Sequence, residues 1–397
     1  MKRGFGNASA LAALVMGVAI SPGAFATPPP IAPGERPTAD STEAELWYGM
    51  ARAEQEIRDL PQVETDAALN AYLREVLCRV AGPHCDDLRL YVLEIPEFNA
   101  SMAPNGATLV FTGALLRLRS EDELAVLLGH EFAHYRQRHS LQLWQTTKRS
   151  SAALGTFGVV TLGAGVGLVG SVAQLAGAAG LSRFSREHER EADALGFEFA
   201  AAQGYEPGAG LAMWERLAQE EAATVGRRRN PVFASHPKTE ERVEDNRRMA
   251  AARRADTSAA PGAASDGGAR YRAVVEPFLD RWLAQELTRR RYAASVQMIG
   301  ALHAEAPPEW RGRTAHYLGE AYRLRRGEGD AAKAAALQAE AVASADAPPA
   351  AFREHGYALR AAGNAPAARD ALSRYLTLAP EAPDRAFVER DLEALTP

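Results

Sequence analysis

The chain has 397 residues, a formal net charge of −5, 47% apolar residues and 24% charged residues. That balance belongs to a globular chain rather than a disordered one, and the net acidity argues against nucleic acid as the main partner. The length allows two domains of ordinary size, and abundant alanine with only 7% aromatic residues points to a fold dominated by helices.

Lys2 and Arg3 precede an apolar run, Leu11–Ile20, followed by Ser21-Pro22-Gly23 and Ala24-Phe25-Ala26. A charged start, an apolar stretch too short for a span and a small-residue site predict a signal peptide over 1–26, cleaved after Ala26. Export to the periplasm follows. An uncleaved anchor is the alternative, and the absence of a cysteine after the site argues against a lipoprotein. Residues 27–40 are proline-rich and read as extended. Thr42–Asp59 and Thr65–Val80 read as helices, the second with Leu69, Tyr72, Leu73, Val76 and Leu77 at helical spacing. Cys78 and Cys85 are the only cysteines. In an oxidising compartment they predict one disulfide, whereas two thiols alone make a poor metal site.

Leu88–Ile95 alternates as a strand does, Pro96-Glu97-Phe98-Asn99 turns the chain, and Pro104-Asn105-Gly106 is a strong turn signal. Thr108–Thr112 reads as a second strand. Placed at a sheet edge, Thr108, Leu109, Val110 and Phe111 would pair with an extended peptide substrate. An ordinary inner strand is the alternative, and sequence does not separate the two.

Glu121–Arg138 reads as a helix, with Ser120 and Glu123 as a capping box and Leu124, Leu127, Leu128 and Phe132 as its apolar face. On it lies His130-Glu131-Phe132-Ala133-His134. Two imidazoles four residues apart leave the same face and can grip one Zn²⁺ at about 2.0–2.1 Å each. Glu131 points round the barrel, placed to deprotonate water as a general base. The bland alternative is a buried helix with two satisfied histidines. A continuous helix puts His139 off the ligand face, in a structural or supporting role.

Ser150–Ser182 carries no charged residue and many Gly and Ala. It reads as small-residue helices packed on the domain or touching a membrane, as a flap over the site, or as a span. Ser185–Asp193 then offers three Glu and one His as further ligands. Glu189 and Asp193 share a face, so one can ligate while the other accepts an imidazole N–H. A solvated charge run is the usual alternative. Glu206–Ala222 reads as a helix, and a basic loop, Arg227–Asn230, leads to Ser235-His236-Pro237. Residues 251–270 are rich in Ala, Gly, Ser and Asp, a linker and domain boundary. From Tyr271 onward, Leu318-Gly319, Tyr322 and Ala331, then Gly356, Ala368, Leu372 and Pro380, follow the tetratricopeptide pattern, with Trp282–Pro307 as a degenerate earlier unit. Such a scaffold suits a protein partner, and an unrelated helical bundle is the alternative.

His130-Glu131-x-x-His134, Ser185-Arg186-x-x-Glu189-x-x-Ala192-Asp193 and His236-Pro237-x-x-x-x-Arg242 together resemble the gluzincin peptidases typified by HtpX and the CAAX prenyl endopeptidases. Phe98-Asn99-Ala100 and Pro104-Asn105-Gly106 are similar to that family's approach to its active site, and the likeness covers Leu46–Met249. The signal peptide and helical repeats make the chain most similar to the BepA-like periplasmic branch. The resemblance implies a mainly α (α+β) protein: a zincin-type metalloprotease domain over 27–250 with a small β-sheet, then tetratricopeptide-like helical repeats over 271–397. It also implies one Zn²⁺ per chain, with Glu189 as third ligand and Asp193 and Arg242 in support. His236 would take the fourth position and hold the enzyme off; a helix-entry or transition-state donor role is the alternative. The implied activity is a zinc endopeptidase of the cell envelope acting on unfolded or stalled outer-membrane proteins. The assembly machinery would be met through the repeats, with peripheral membrane contact. A zinc-binding chaperone or adaptor with a usually silent protease, and a membrane-embedded HtpX-like protease, are the competing readings.

Overall fold

A computed structural model describes residues 27–153, 184–206, 208–223, 236, 240–255 and 268–395. The expected signal peptide, most of the uncharged segment 150–182, the basic loop Arg227–Asn230 and much of the linker lie outside the described residues. The architecture is mainly helical with one three-stranded sheet. Among the described residues no helix is long and apolar enough to cross a membrane.

Residues 27–40 form an irregular strap. Ile31 N–H donates to Arg136 O at 2.8 Å and Gly34 N–H to Asp87 Oδ2 at 2.9 Å. Helix α1 (Thr42–Arg58) is capped by Ser41 and α2 (Ala67–Ala81) by Asp66, whose side-chain oxygens accept orphan N–H groups of the first turn. Leu69, Leu73, Val76 and Leu77 on α2 are fully buried, as their spacing predicts. Cys78 at the end of α2 is joined to Cys85 in the following turn, with Cα atoms 4.6 Å apart.

The sheet contains β1 (Arg89–Leu93), β2 (Ala100–Met102) and β3 (Ala107–Phe111) in the order β1-β3-β2. β3 runs parallel to β1 and antiparallel to β2. This corrects the expected edge position of Thr108, Leu109, Val110 and Phe111: they form the centre strand, hydrogen-bonded on both sides and buried throughout. The edge belongs to β2, which lies just after the residues read as a turn. Three residues are too few to show an alternating pattern, and strand order is a tertiary property.

α3 (Thr112–Leu115) leads to α4 (Glu121–Arg136). Ser120 Oγ accepts Glu123 N–H at 3.3 Å, while the Glu123 carboxylate bonds Arg119 N–H at 2.9 Å, one residue earlier than a standard capping box. α4 does not run on to His139. Arg138 adopts a left-handed φ of 56°, and a new helix, α5 (His139–Ala153), starts there. Glu35 from the strap and Glu43 from α1 hold the Arg138 guanidinium in place. Then follow α6 (Arg186–Ala202), capped by Ser185, α7 (Gly208–Ala222) and α8 (Glu240–Ala255).

The remainder is helical: α9 (Ala269–Val275), α10 (Leu279–Thr288), α11 (Tyr292–Ala304), α12 (Arg311–Arg325), α13 (Asp330–Ala343), α14 (Pro349–Ala361), α15 (Ala365–Leu378) and α16 (Arg385–Glu393). α12 packs on α13 and α14 on α15 at Gly319 and Gly356, where an added Cβ would come within 2.8 Å of Gln338 and of Leu372. Packing does not lapse at the expected boundary. Tyr271, Phe278, Leu279 and Trp282 enter the same apolar core as Leu69, Leu124 and Phe132. Tyr271 O–H donates to Leu115 O at 2.5 Å. Beside it, Arg117 donates to Glu220 and Glu286 at 2.7 Å each, and Arg289 donates to Glu286 at 2.7 Å and to Glu97 at 2.8 Å. All of these side chains except the half-buried Glu97 are buried.

Candidate active site

The site is built where α4 crosses α6. The crossing is glycine on glycine: a Cβ on Gly196 would lie 2.6 Å from the His130 N atom, and one on Gly129 would lie 2.8 Å from Gly196 O. Only two bare backbones allow so close a contact. It brings Glu189 and Asp193, one turn apart on α6, against His130 and His134, one turn apart on α4.

His130 Nε2 and His134 Nε2 are 3.1 Å apart. Glu189, fully buried, places Oε2 3.7 Å from the first and Oε1 3.6 Å from the second. His236, also buried, places Nδ1 3.2 Å from His130 Nε2 and 3.0 Å from Glu189 Oε1. Atoms around a tetrahedral zinc at about 2.0–2.1 Å stand about 3.3 Å from one another. The donor atoms of these four residues are spaced like the corners of that tetrahedron, and imidazole with carboxylate is a donor set zinc accepts. His130 Nδ1 lies 3.0 Å from Asp193 Oδ1, so a carboxylate stands behind the ring while its Nε2 is turned inward. The residues therefore fit the metal.

Glu131 is buried beside this group but not part of it. Its Oε1 lies 3.8 Å from His236 Nε2, on the far side of that ring from Glu189. Asn246 on α8 donates to Asp193 Oδ2 at 3.4 Å. Phe184 stacks on the His134 ring with centroids 4.0 Å apart. His139 Nδ1 lies 2.9 Å from His134 Nδ1. Burial pushes the His139 imidazole down to about 4, helped by His188 stacked against it at 4.3 Å, so it is neutral at pH 7.

His130, Glu131, His134, Glu189, Asp193 and His236 thus converge. Arg242 falls in the first turn of α8, but its side chain lies outside the described residues. β3 presents no free edge, and the Cys78–Cys85 pair belongs to the α2 turn rather than to the site. Sequence reasoning passed over Phe184 and Asn246, which carry no pattern of their own. It gave His139 a structural or supporting role without placing it against His134, because the break after Arg136 is not written in local spacing.

Residues 64–250 match Peptidase family M48. The chain is 26% identical over 206 residues to the beta-barrel assembly-enhancing protease of Escherichia coli, covering 49% of this chain and 42% of the relative. It is 33% identical over 177 residues to the mitochondrial metalloendopeptidase OMA1 of Schizosaccharomyces pombe, covering 43% and 50%. It is 30% identical over 151 residues to the metalloprotease YcaL of Escherichia coli, covering 37% and 56%. The chain spans about half the length of the curated relatives it matches. Residues 64–250 are thus a metalloprotease domain of Peptidase family M48, a zinc-dependent family, and the converging His130, His134, Glu189 and His236 are its candidate metal site.

Proposed function

We propose that this chain is a zinc endopeptidase of the bacterial cell envelope that cleaves misfolded or stalled outer-membrane proteins and aids their assembly. The observation that carries the reading is the tetrahedral spacing of four buried donor atoms, with the carboxylate of Glu131 beside them. Two relatives, a beta-barrel assembly-enhancing protease and a mitochondrial metalloendopeptidase, agree with it. His130, His134 and Glu189 hold the metal, and Asp193 fixes the His130 ring. Zinc, when bound, supplies a water of lowered pKa and a polarised scissile carbonyl. Glu131 takes the proton of the attacking water and returns it to the leaving amine.

The substrate backbone adds to the outer side of β2, which pairs with no second strand among the described residues and where Ala100 and Met102 are buried. Phe111 N–H donates to Asn99 O and Ala103 N–H to Ala107 O, so odd-numbered residues bond β3. The N–H and C=O groups of Ala100 and Met102 alternate with them and face the other way. The repeats bring protein partners, and the Cys78–Cys85 pair suits an oxidising periplasm reached after cleavage behind Ala26.

His236 Nδ1 stands at the corner that a catalytic zinc keeps for water, so with this ring in place the peptidase is silent. That seat favours a second reading, in which the chain works mainly as a zinc-bound chaperone and cleaves only when His236 leaves. Zinc content and casein cleavage test both. Glu131→Gln is expected to keep its zinc and lose about 10²–10⁴-fold in cleavage; undiminished cleavage refutes the role of Glu131. His236→Ala is expected to cleave faster with zinc retained. Rescue of an envelope-assembly defect by Glu131→Gln would decide for the chaperone.

A further inference from the structure

We propose that His139 and Glu191 form a relay that fixes the proton and ring orientation of His134, making them positioning residues for its grip on zinc. The inference rests on the reading of His130, His134 and Glu189 as the metal ligands. His134 faces the donor cluster with Nε2, at 3.1 Å from His130 Nε2. To present a lone pair there it must carry its proton on Nδ1. Nδ1 lies 2.9 Å from Nδ1 of His139, and two bare nitrogens do not attract, so the proton sits between them. His139 must then accept at Nδ1 and carry its own proton on Nε2. Nε2 lies 3.2 Å from Glu191 Oε2, a carboxylate oxygen that can only accept when ionised. Every proton in the chain Glu191–His139–His134 has one place.

The surroundings hold this chain in register. Gln137 Nε2 donates to the other Glu191 oxygen at 2.5 Å. His188 stacks on His139, and the His139 side chain is fully buried while Glu191 is half exposed. The left-handed turn at Arg138, clamped by Glu35 and Glu43, folds His139 back onto His134. A non-glycine residue is strained in that conformation, and the fold accepts the strain at this turn. His130 reaches its carboxylate, Asp193, directly; His134 reaches one through a second imidazole. Both carboxylates stand on α6, the helix that supplies Glu189.

The test is zinc affinity, read by competition with a chromogenic chelator on the full chain. The absorption bands of Co²⁺ put in place of zinc give a second readout. His139→Ala is expected to bind zinc about 10–100-fold more weakly and to shift the Co²⁺ bands. His139→Gln is expected to recover much of the loss, since its amide can accept from His134 and donate to Glu191. Affinity in His139→Ala equal to that of the unaltered chain overturns the relay, as does a Gln variant no better than Ala. Melting of the metal-free variants shows whether they fold. If His139→Ala does not, Glu191→Ala decides from the protein surface, with a several-fold loss expected and unchanged affinity fatal. An unaltered chain that binds no zinc would instead sink the metal-site reading and the relay with it.

Discussion

Among the described residues, two of the buried polar clusters are built on opposite principles. At the junction with α10, Arg117 and Arg289 interleave with Glu220 and Glu286, and Ser295 O–H caps the same carboxylate at 2.9 Å. Burial works against the charge on Arg117, but Glu220 and Glu286 outweigh it and raise its pKa. This cluster balances its own charge. Where α4 crosses α6, lone pairs from imidazoles and a carboxylate are instead turned toward one point at 3.0–3.7 Å spacing. Such a group is completed by a cation from outside. The difference separates a cluster that is structure from one that is a site.

Breaking the balanced cluster has the largest expected effect. Arg117→Ala leaves Glu220 and Glu286 buried with Arg289 but without the second cation they share, which should cost about 3–5 kcal/mol by urea unfolding. Zinc affinity of the folded fraction should stay unchanged; a loss of stability under about 1 kcal/mol, the size expected of a surface pair, would show that the cluster is not buried in solution. Next comes removal of the cation from the other cluster. Zinc at about 100-fold over its dissociation constant should add about 2.7 kcal/mol, lost on chelation, in Glu131→Gln as in the unaltered chain. No change in melting on chelation would contradict a site completed by a cation. The smallest effect is read by pH at Glu54, a third buried group. Its burial raises the carboxyl pKa, but hydrogen bonds from Arg89 and Tyr91 override this and hold it at about 2. Because the folded value is depressed, its stabilisation is complete above about pH 4.3 and fades as pH falls toward 2. The advantage of the metal-free chain over Glu54→Gln, on the order of 2 kcal/mol near neutrality, should shrink through that window. An advantage that stays constant with pH would remove Glu54 from the account.

What the sequence disclosed follows the range of each interaction. The spacing of His130 and His134 is local helix geometry, so one face and one metal were readable. The helices α1, α2, α4 and α7 were placed within a few residues because their caps and apolar stripes lie within one turn. Glu189 needed more. Its i, i+4 relation to Asp193 left the two interchangeable, and only the three-part motif chose between them. The inner position of β3 was hidden because pairing with β1 and β2 is set by tertiary contacts. The contact of His139 with His134 was hidden for the same reason: the turn that aims it is clamped by Glu35 and Glu43, about a hundred residues away in the chain. The pair Arg117–Glu286, 169 residues apart, left no trace in any local pattern.

The glycine crossing of α4 and α6 has a consequence for how the site could fail. Peptide thickness, rather than any side chain, sets the gap between the imidazoles and the carboxylates. A single methyl group at Gly129 or Gly196 would act as a wedge, prising the helices apart while every donor stayed in the sequence. The gap between the α4 imidazoles and Glu189 on α6 would widen, and the grip on the metal would weaken through geometry alone.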